Sequence, residues 1–477
     1  MFHFFYIILW RYELIVFSKA ISLFNTYNMA NVIKLRKGLD INLKGKAAAT
    51  CVTVKPKGDF ALIPDDFTGL TPKVVVREGD TVQAGDALFV NKKFPDVSFA
   101  SPVSGTVSAV VRGERRKLLC VKVTPDAKQV YRDFGKKDVS KMNGEAVCEA
   151  IVKAGLFGYI DQLPYAVCTT PDTKPKAIFV SAFRDMPLAA DFNVELEGNE
   201  EAFLTGLQAL SKMAKTYLGI NPGQSSGALG KMKDVETTVF DGPCPAANVS
   251  VQVNHLAPVN KGETVWTVDP MAVIFIGRLF LTGKVDLSKR IAVAGSEMKS
   301  PCYVEVKVGQ PLKEILADQL RTTEHVRVIN GNPLTGRLSS VNDYVGAHTS
   351  EVTAIPEGDN RDEMFGWIMP RFNEFSANRS YFSWLCGKKE YTLDARVKGG
   401  ERHMIMSGEY DRVVPMDIYP EYLVKAIIAG DIDKMEQLGI YEVAPQDFAV
   451  AEFVDSSKLE LQRIVREGLD MLRKENA

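Results

Sequence analysis

With 477 residues, 46% hydrophobic and 25% charged, the chain is too long for one core and has the composition of a multidomain globular protein. A net charge of -1 gives no electrostatic case for nucleic acid or for an anionic membrane surface. Seven scattered cysteines, five histidines and no C-x-x-C, H-x-H or H-E-x-x-H spacing argue against a metal motif or disulfide framework, and predict reduced thiols.

Residues 1–28 are aromatic and apolar, but Arg11, Glu13 and Lys19 interrupt any run able to span a bilayer. No positive n-region precedes them, and Met29 opens "MANVIKLRKGLDINLKG". We therefore expect translation to begin at Met29, with 1–28 a non-native extension. Beyond it no transmembrane segment is expected, since the most apolar run, 271–283, is short and carries Arg278.

A first, strand-rich unit is expected over 29–138. In "VREGDTVQAGDALFVNKKFPDVSFASPVSGTV" (76–107), Gly79-Asp80 and Gly85-Asp86 mark tight turns between alternating apolar residues. The pattern resembles the biotinyl and lipoyl carrier module, a flattened barrel-sandwich whose hairpin lysine bears the cofactor. Counted back from Pro102, the lysine register falls on Phe94, with Lys92 and Lys93 out of step. The barrel is expected to be kept and the carrier role lost. Arg112, Arg115, Arg116 and Lys117 read as a solvated hairpin tip.

The second unit, 139–286, alternates helices and strands and predicts a Rossmann-like α/β layer. "GEAVCEAIVKAGLFG" is a helix stopped by glycine, 176–183 a buried strand, and 200–219 an amphipathic helix. "VETTVFDG" is a further strand. Asp269 as N-cap, Pro270 at N1 and Gly283 as stop bound another helix. His255 is placed after a strand. A phosphate- or flavin-cradling loop needs clustered glycines. "AGLFGYIDQLPY" offers two, followed by bulky residues and Asp161, and "NPGQSSGALGK" lacks a hydroxyl residue after its lysine.

The third unit, 287–345, runs two strands, a short helix and more strands through "VINGNPLTGRL", an order expected of a small ubiquitin-like, SLBB-type α+β domain. A turn-rich connecting segment follows over 346–415. The 416–477 unit is helical: Pro420 starts one helix and Gly430-Asp431 divides it from the next. Ser457 and Glu460 predict a capping box, and Leu461, Ile464, Val465, Leu469 and Leu472 form a stripe. The fold class expected is therefore α/β and α+β multidomain. No G-x-S-x-G serine and no partnered histidine points to catalysis in this chain.

Taken in series, "KGLDINLKG", "GLFGYIDQLPY", "AIFVSAFRDMPLA", "TVWTVDPMAVIFIGRLFLTG", "RVINGNPLTG", "FGWIMPRFNEFS" and "YDRVVPMDIYPEYLVKAIIAGDIDKMEQLG" carry a resemblance. From Met29 onward the chain resembles the A subunits of the bacterial Na+-translocating NADH:quinone oxidoreductases. That family is similar to the cluster-bearing subunit of Rnf complexes and the flavoprotein subunit of complex I. The resemblance implies a peripheral subunit on the cytoplasmic face of the inner membrane, in a six-subunit complex, docked chiefly on the B subunit. It implies no cofactor in this chain, with flavins and iron–sulfur centres in partner subunits, and a role in assembly and in quinone access. Phe157, Arg184 and His255 are the candidates for a quinone cavity; no catalytic residue and no metal site is expected. The alternative expectation is a stand-alone soluble scaffold or ligand-binding module using its ubiquitin-like unit.

Overall fold

The computed structural model describes residues 31–232, 234–360, 365, 368–387 and 389–476. The expectation for residues 1–28 lies outside them. The N-terminal strands are β1 (Asn31–Lys34), β2 (Cys51–Thr53), β3 (Phe60–Leu62), β4 (Pro72–Val74), β5 (Thr81–Val82), β6 (Ala87–Asn91), β7 (Ser98–Ala100), β8 (Gly105–Arg112) and β9 (Leu118–Pro125). Two apposed sheets, β3-β9-β8-β5 and β4-β6-β7, make the barrel-sandwich. Its Gly-Asp repeat works as expected. Gly79 and Gly85 take φ of 90° and 101°. The Asp80 and Asp86 carboxylates accept the amides of Arg77 (2.7 Å) and Gln83 (2.8 Å), three residues back. On the β6–β7 hairpin Lys92 and Lys93 are exposed, while Phe94 packs against the barrel core. The basic cluster forms the β8–β9 tip, where Lys117 pairs with Asp65 at 2.7 Å.

The α/β unit contributes α1 (Gly144–Lys153), β10 (Ile160–Leu163), β11 (Val167–Cys168), β12 (Ile178–Ser181), α2 (Phe192–Leu196) and α3 (Glu200–Met213). It continues with β13 (Thr216–Ile220), β14 (Glu236–Asp241), α4 (Val249–Leu256), β15 (Val265–Val268) and α5 (Pro270–Thr282). The helix expected through residue 219 stops at Met213. "TYLGI" is instead a strand, buried at every position and paired in parallel with β12 and β14. Pairing on both edges overrides the helical period there. His255 likewise sits on a helix, α4, and not after a strand. The sheet order is β1-β14-β13-β12-β15-β10-β11, its first five strands parallel, so β1 of the N-terminal unit extends this sheet. The α5 signals hold: Asp269 caps the amide of Met271 (2.8 Å), and Gly283 ends the helix with φ of 74°. Arg278, the charge in that apolar run, donates to the Ser288 carbonyl (2.5 Å) and to Asn199 Oδ1 (2.7 Å).

Strand alternation assigns the sheet's side chains to two cores. Ile178, Val180, Leu218, Ile220, Trp266 and Val268 join a core continuous with the barrel and with α1, α3 and α5. Phe179, Tyr217, Phe240 and Val265 face the opposite way, into a core shared with the C-terminal helices.

The third unit contains β16 (Ser288–Ala294), β17 (Cys302–Lys307), α6 (Leu312–Leu316), β18 (Val326–Asn330) and β19 (Arg337–Ser339). Its sheet, β19-β18-β20-β16-β17-β2, also takes β20 (Glu351–Pro356) from the turn-rich segment and β2 from the N-terminal unit. The C-terminal helices are α7 (Tyr410–Val413), α8 (Pro420–Ala429), α9 (Ile432–Gln437), α10 (Ala449–Val454) and α11 (Leu461–Glu475). Gly430, with φ of 68°, ends α8, and Asp431 caps Lys434 (3.1 Å) to start α9. The capping box at Ser457 and Glu460 does not form. Lys458 takes a φ of 59°, which breaks the helical run. Asp455 accepts the amides of Ser457 (3.1 Å) and Leu459 (2.7 Å) and the hydroxyl of Tyr410 (2.9 Å). The Ser457 hydroxyl turns to the His403 carbonyl (3.2 Å), and α11 begins only at Leu461. Its stripe is core: Leu461, Val465, Leu469 and Leu472 are fully buried.

Helices α3 and α5 approach through glycine. A Cβ on Gly277 would lie 1.7 Å from the Ala202 carbonyl oxygen, and one on Gly206 2.1 Å from that of Val273. Gly277→Ala is therefore expected to destabilise the chain by about 1–3 kcal/mol through overpacking. A lower urea midpoint at unchanged slope would show it, and an unchanged midpoint would contradict it.

Candidate functional site

Strands β12, β13 and β14 follow one another outward across the sheet, and the chain then returns to lay β15 on the other side of β12. The loops leaving the carboxyl ends of β12 and β15 diverge at such a reversal and leave a crevice, the usual ligand position in open α/β sheets. A cavity of about 400 Å³ lies there. Phe183, Arg184, Asp185 and Met186 line it from the loop after β12, and Asp269 from the end of β15. The barrel adds Asp65 and Asp66, and the third unit and the segment that follows it add Asn330, Asn332, Arg337, His348 and Glu351.

Arg184 is the centre of its charge network. Its guanidinium meets Glu195 of α2 at 2.7 Å and Asp269 at 3.4 Å. Asp269 thus serves twice, one oxygen capping α5 and the other facing Arg184. Burial pushes the Glu195 carboxyl upward, and Arg184 beside it pulls the other way. Across the cavity Glu351, also buried, accepts the amide of Ala190 (3.1 Å) and the side-chain amide of Asn332 (3.4 Å). Asp66 accepts the Ala347 amide (2.8 Å) and lies 3.5 Å from Arg337. Lys289 donates to the carbonyls of Gly346 (2.8 Å) and Ala347 (3.0 Å), and burial lowers its pKa to about 8. His348 closes a triangle of rings with Phe67 and Tyr159, 5.4 Å from each, while those two lie 5.3 Å apart. Barrel, α/β unit and third unit are thus tied together around one polar space.

The lining does not suit a phosphate or a flavin. Five carboxylates (Asp65, Asp66, Asp185, Asp269 and Glu351) face two guanidiniums, Arg184 and Arg337. The first turn of α5, where free amides would hold an anion, is capped by Asp269. No glycine stands in the loop after β12, so the backbone cannot approach closely. Among the described residues no group of three or more His, Cys, Asp or Glu side chains is placed to hold a metal ion. None of their helices is long and apolar enough to cross a membrane. All seven cysteines are free thiols.

Of the three residues expected at a quinone cavity, Arg184 lines this one. Phe157 is fully buried and packs edge-on against Trp266 at 5.5 Å, in the core shared with the barrel. His255 is exposed on α4, its Nδ1 2.9 Å from the Val251 carbonyl. The sequence marks Asp269 as a cap and leaves Asp66, Glu195, Arg337, His348 and Glu351 unmarked. Arg184 and Asp269 had an available signal, since each follows a buried strand of an α/β layer. The others arrive from separate loops with no local signature.

Family models match three parts of the chain. They are described as the NqrA N-terminal barrel-sandwich hybrid domain (residues 33–126), the NqrA second alpha/beta domain (142–285) and the NQRA C-terminal domain (290–340). The A subunit of the Na(+)-translocating NADH-quinone reductase of Haemophilus influenzae (strain KW20 / Rd) is 33% identical over 449 residues, 93% of this chain and 100% of the relative. The proteins of that name from Neisseria meningitidis serogroup B and Yersinia pestis are each 32% identical, again over 93% of this chain and 100% of theirs. Among solved structures, an NAD+-reducing NiFe hydrogenase in its H2-reduced state aligns with a TM-score of 0.35 and 12% identity, covering 70% of this chain and 64% of that one.

Burial raises the Asp185 pKa from 3.8 to about 6, although its carboxylate accepts the amide of Ala247 at 2.9 Å. A carboxyl with a raised folded-state pKa contributes stability that is complete below its unfolded value and is lost as pH rises through the folded one. Between about pH 4 and about pH 6 the wild type should therefore lose melting temperature relative to Asp185→Asn. A difference independent of pH across that window would contradict the assignment.

Proposed function

The chain belongs to the NqrA family, the A subunits of the Na(+)-translocating NADH-quinone reductases, and we propose that it serves such a complex without a redox centre of its own, as a docking component next to the path of quinone. The observation that carries the first part is the ion cluster in the crevice. Where flavin- or nucleotide-holding α/β folds present glycines and free helix amides, this chain places Arg184, Glu195 and Asp269 in mutual contact. A bound phosphate there would displace a buried ion cluster and face carboxylates, which costs more than it returns. Flavins and iron–sulfur centres then belong to partner subunits. The chain sits peripherally on the cytoplasmic face of the inner membrane, docked chiefly on the B subunit.

For quinone, the supporting geometry is narrower. A quinone head needs a hydrogen-bond donor at a carbonyl and an apolar or aromatic wall beside the ring. Arg184 can donate, and Phe183, Met186 and His348 line the same cavity. Phe157 and His255 lie outside its lining, so the reading rests on Arg184 alone of the three.

Two measurements test these parts separately. The purified chain should show a featureless visible spectrum, whereas a flavin or cluster band would overturn the cofactor-free reading. In the assembled complex, Arg184→Lys keeps the charge opposite Glu195 and Asp269 but loses the planar fork. It should raise the KM for quinone several-fold at unchanged subunit stoichiometry. An unchanged KM together with unchanged affinity for a quinone analogue would remove quinone from this cavity.

A further inference from the structure

The stretch from Ile368 to Leu385 turns an apolar face to solvent. Ile368, Met369 and Leu385 are 67%, 56% and 62% exposed, and Phe382 and Trp384 are 53% and 47% exposed. Its two ends lie side by side, because the Phe382 amide bonds the Pro370 carbonyl (3.0 Å) and the rings of Phe372 and Phe382 are 6.1 Å apart. The loop is anchored from behind. Phe375 packs on Tyr391 (5.5 Å) and on Phe453 of α10 (5.6 Å), Ser383 is buried, and Asn378 donates to Glu409 (2.9 Å). The face is therefore held in place before anything covers it, which lowers the ordering cost of binding.

Its charge narrows the occupant. The Arg379 guanidinium lies over the Trp384 ring at 5.2 Å, with no carboxylate partner among the described residues. Lys389 bonds two neutral groups, Asn373 Oδ1 (2.5 Å) and the Phe372 carbonyl (3.5 Å). The one acid of residues 368–389, Glu374, is already paired with Lys398. Residues 368–389 thus carry a net positive charge on a chain whose net charge is -1. A second copy would set cation against cation. The chain's own residues 1–28 carry Arg11 and Lys19 against Glu13 and offer no complement. Exposed Trp, Phe and Met beside Arg is the composition of protein interfaces, with the aromatic and Arg positions carrying most of the energy.

We infer that this face docks another subunit of the same translocase complex, through an apolar segment flanked by carboxylates. The inference rests on the docking reading above and adds the surface and the chemistry of its partner. The test uses the whole complex, solubilised from membranes in detergent. Trp384→Ser with Leu385→Asp should cut co-purification of this chain by about tenfold or more, and Arg379→Glu alone should weaken it. The melting temperature of the isolated double variant should match wild type, since both side chains are exposed. A photo-reactive residue at position 385 should cross-link to another subunit. Wild-type stoichiometry in the double variant would overturn the proposal and leave the docking reading standing. Cross-linking to a second copy would overturn it too. So would unchanged assembly with lost binding to phosphatidylglycerol vesicles, which would assign the face to lipid. Failure of the wild-type chain itself to co-purify would instead overturn the docking reading on which this one depends.

Discussion

The architecture follows from the need to cover both faces of one mostly parallel sheet. Its central strands carry large apolar residues on both faces, Ile178 and Val180 to one side and Phe179 to the other. Neither face can be left to water. The barrel-sandwich and helices α1, α3 and α5 close one side, and the C-terminal helices close the other. The third unit has a core of its own, built on β16, β17 and β18, and adds only Leu287 and Val308 to the buried residues of the barrel core. It is also tied in by exchanged strands and polar contacts, with β2 on its edge and Glu351 bonded to the Ala190 amide.

That difference explains why the cavity lies where it does. Packed apolar faces leave no space, whereas the seam between the sheet's carboxyl edge and the third unit is polar and only partly filled. Its charges are held by one another. Arg184 between Glu195 and Asp269 satisfies groups that would be costly alone, and it does so in the crevice where related folds leave room for a cofactor. In the barrel, Phe94 packs against the core while Lys92 and Lys93 beside it are exposed.

Much of this was legible from local chemistry. The Gly-Asp turns, Asp269-Pro270 with Gly283, and Pro420 with Gly430-Asp431 act within a few residues of themselves, and the elements they bound are present. The failures share a cause. "TYLGI" continues a helical pattern, but a neighbour on each edge makes it a strand. Ser457 has the spacing of a cap, yet Asp455 takes the nearby amides because Tyr410 fixes its carboxylate from a distant helix. Phe157 read as a wall of a ligand cavity and is a wall of the core against Trp266.

By itself the sequence determined the kinds of unit, their order, and the lack of a glycine loop for phosphate, since each depends on residue type and short-range period. Only the tertiary structure decided that β1 and β2 leave the barrel for two different sheets. It also decided that Asp66, Arg184, Asp269, Arg337 and Glu351, spread over nearly three hundred positions, line one cavity. Such groupings are set by which faces must be buried together, and a chain carries that information in its packing as a whole, not in any local stretch.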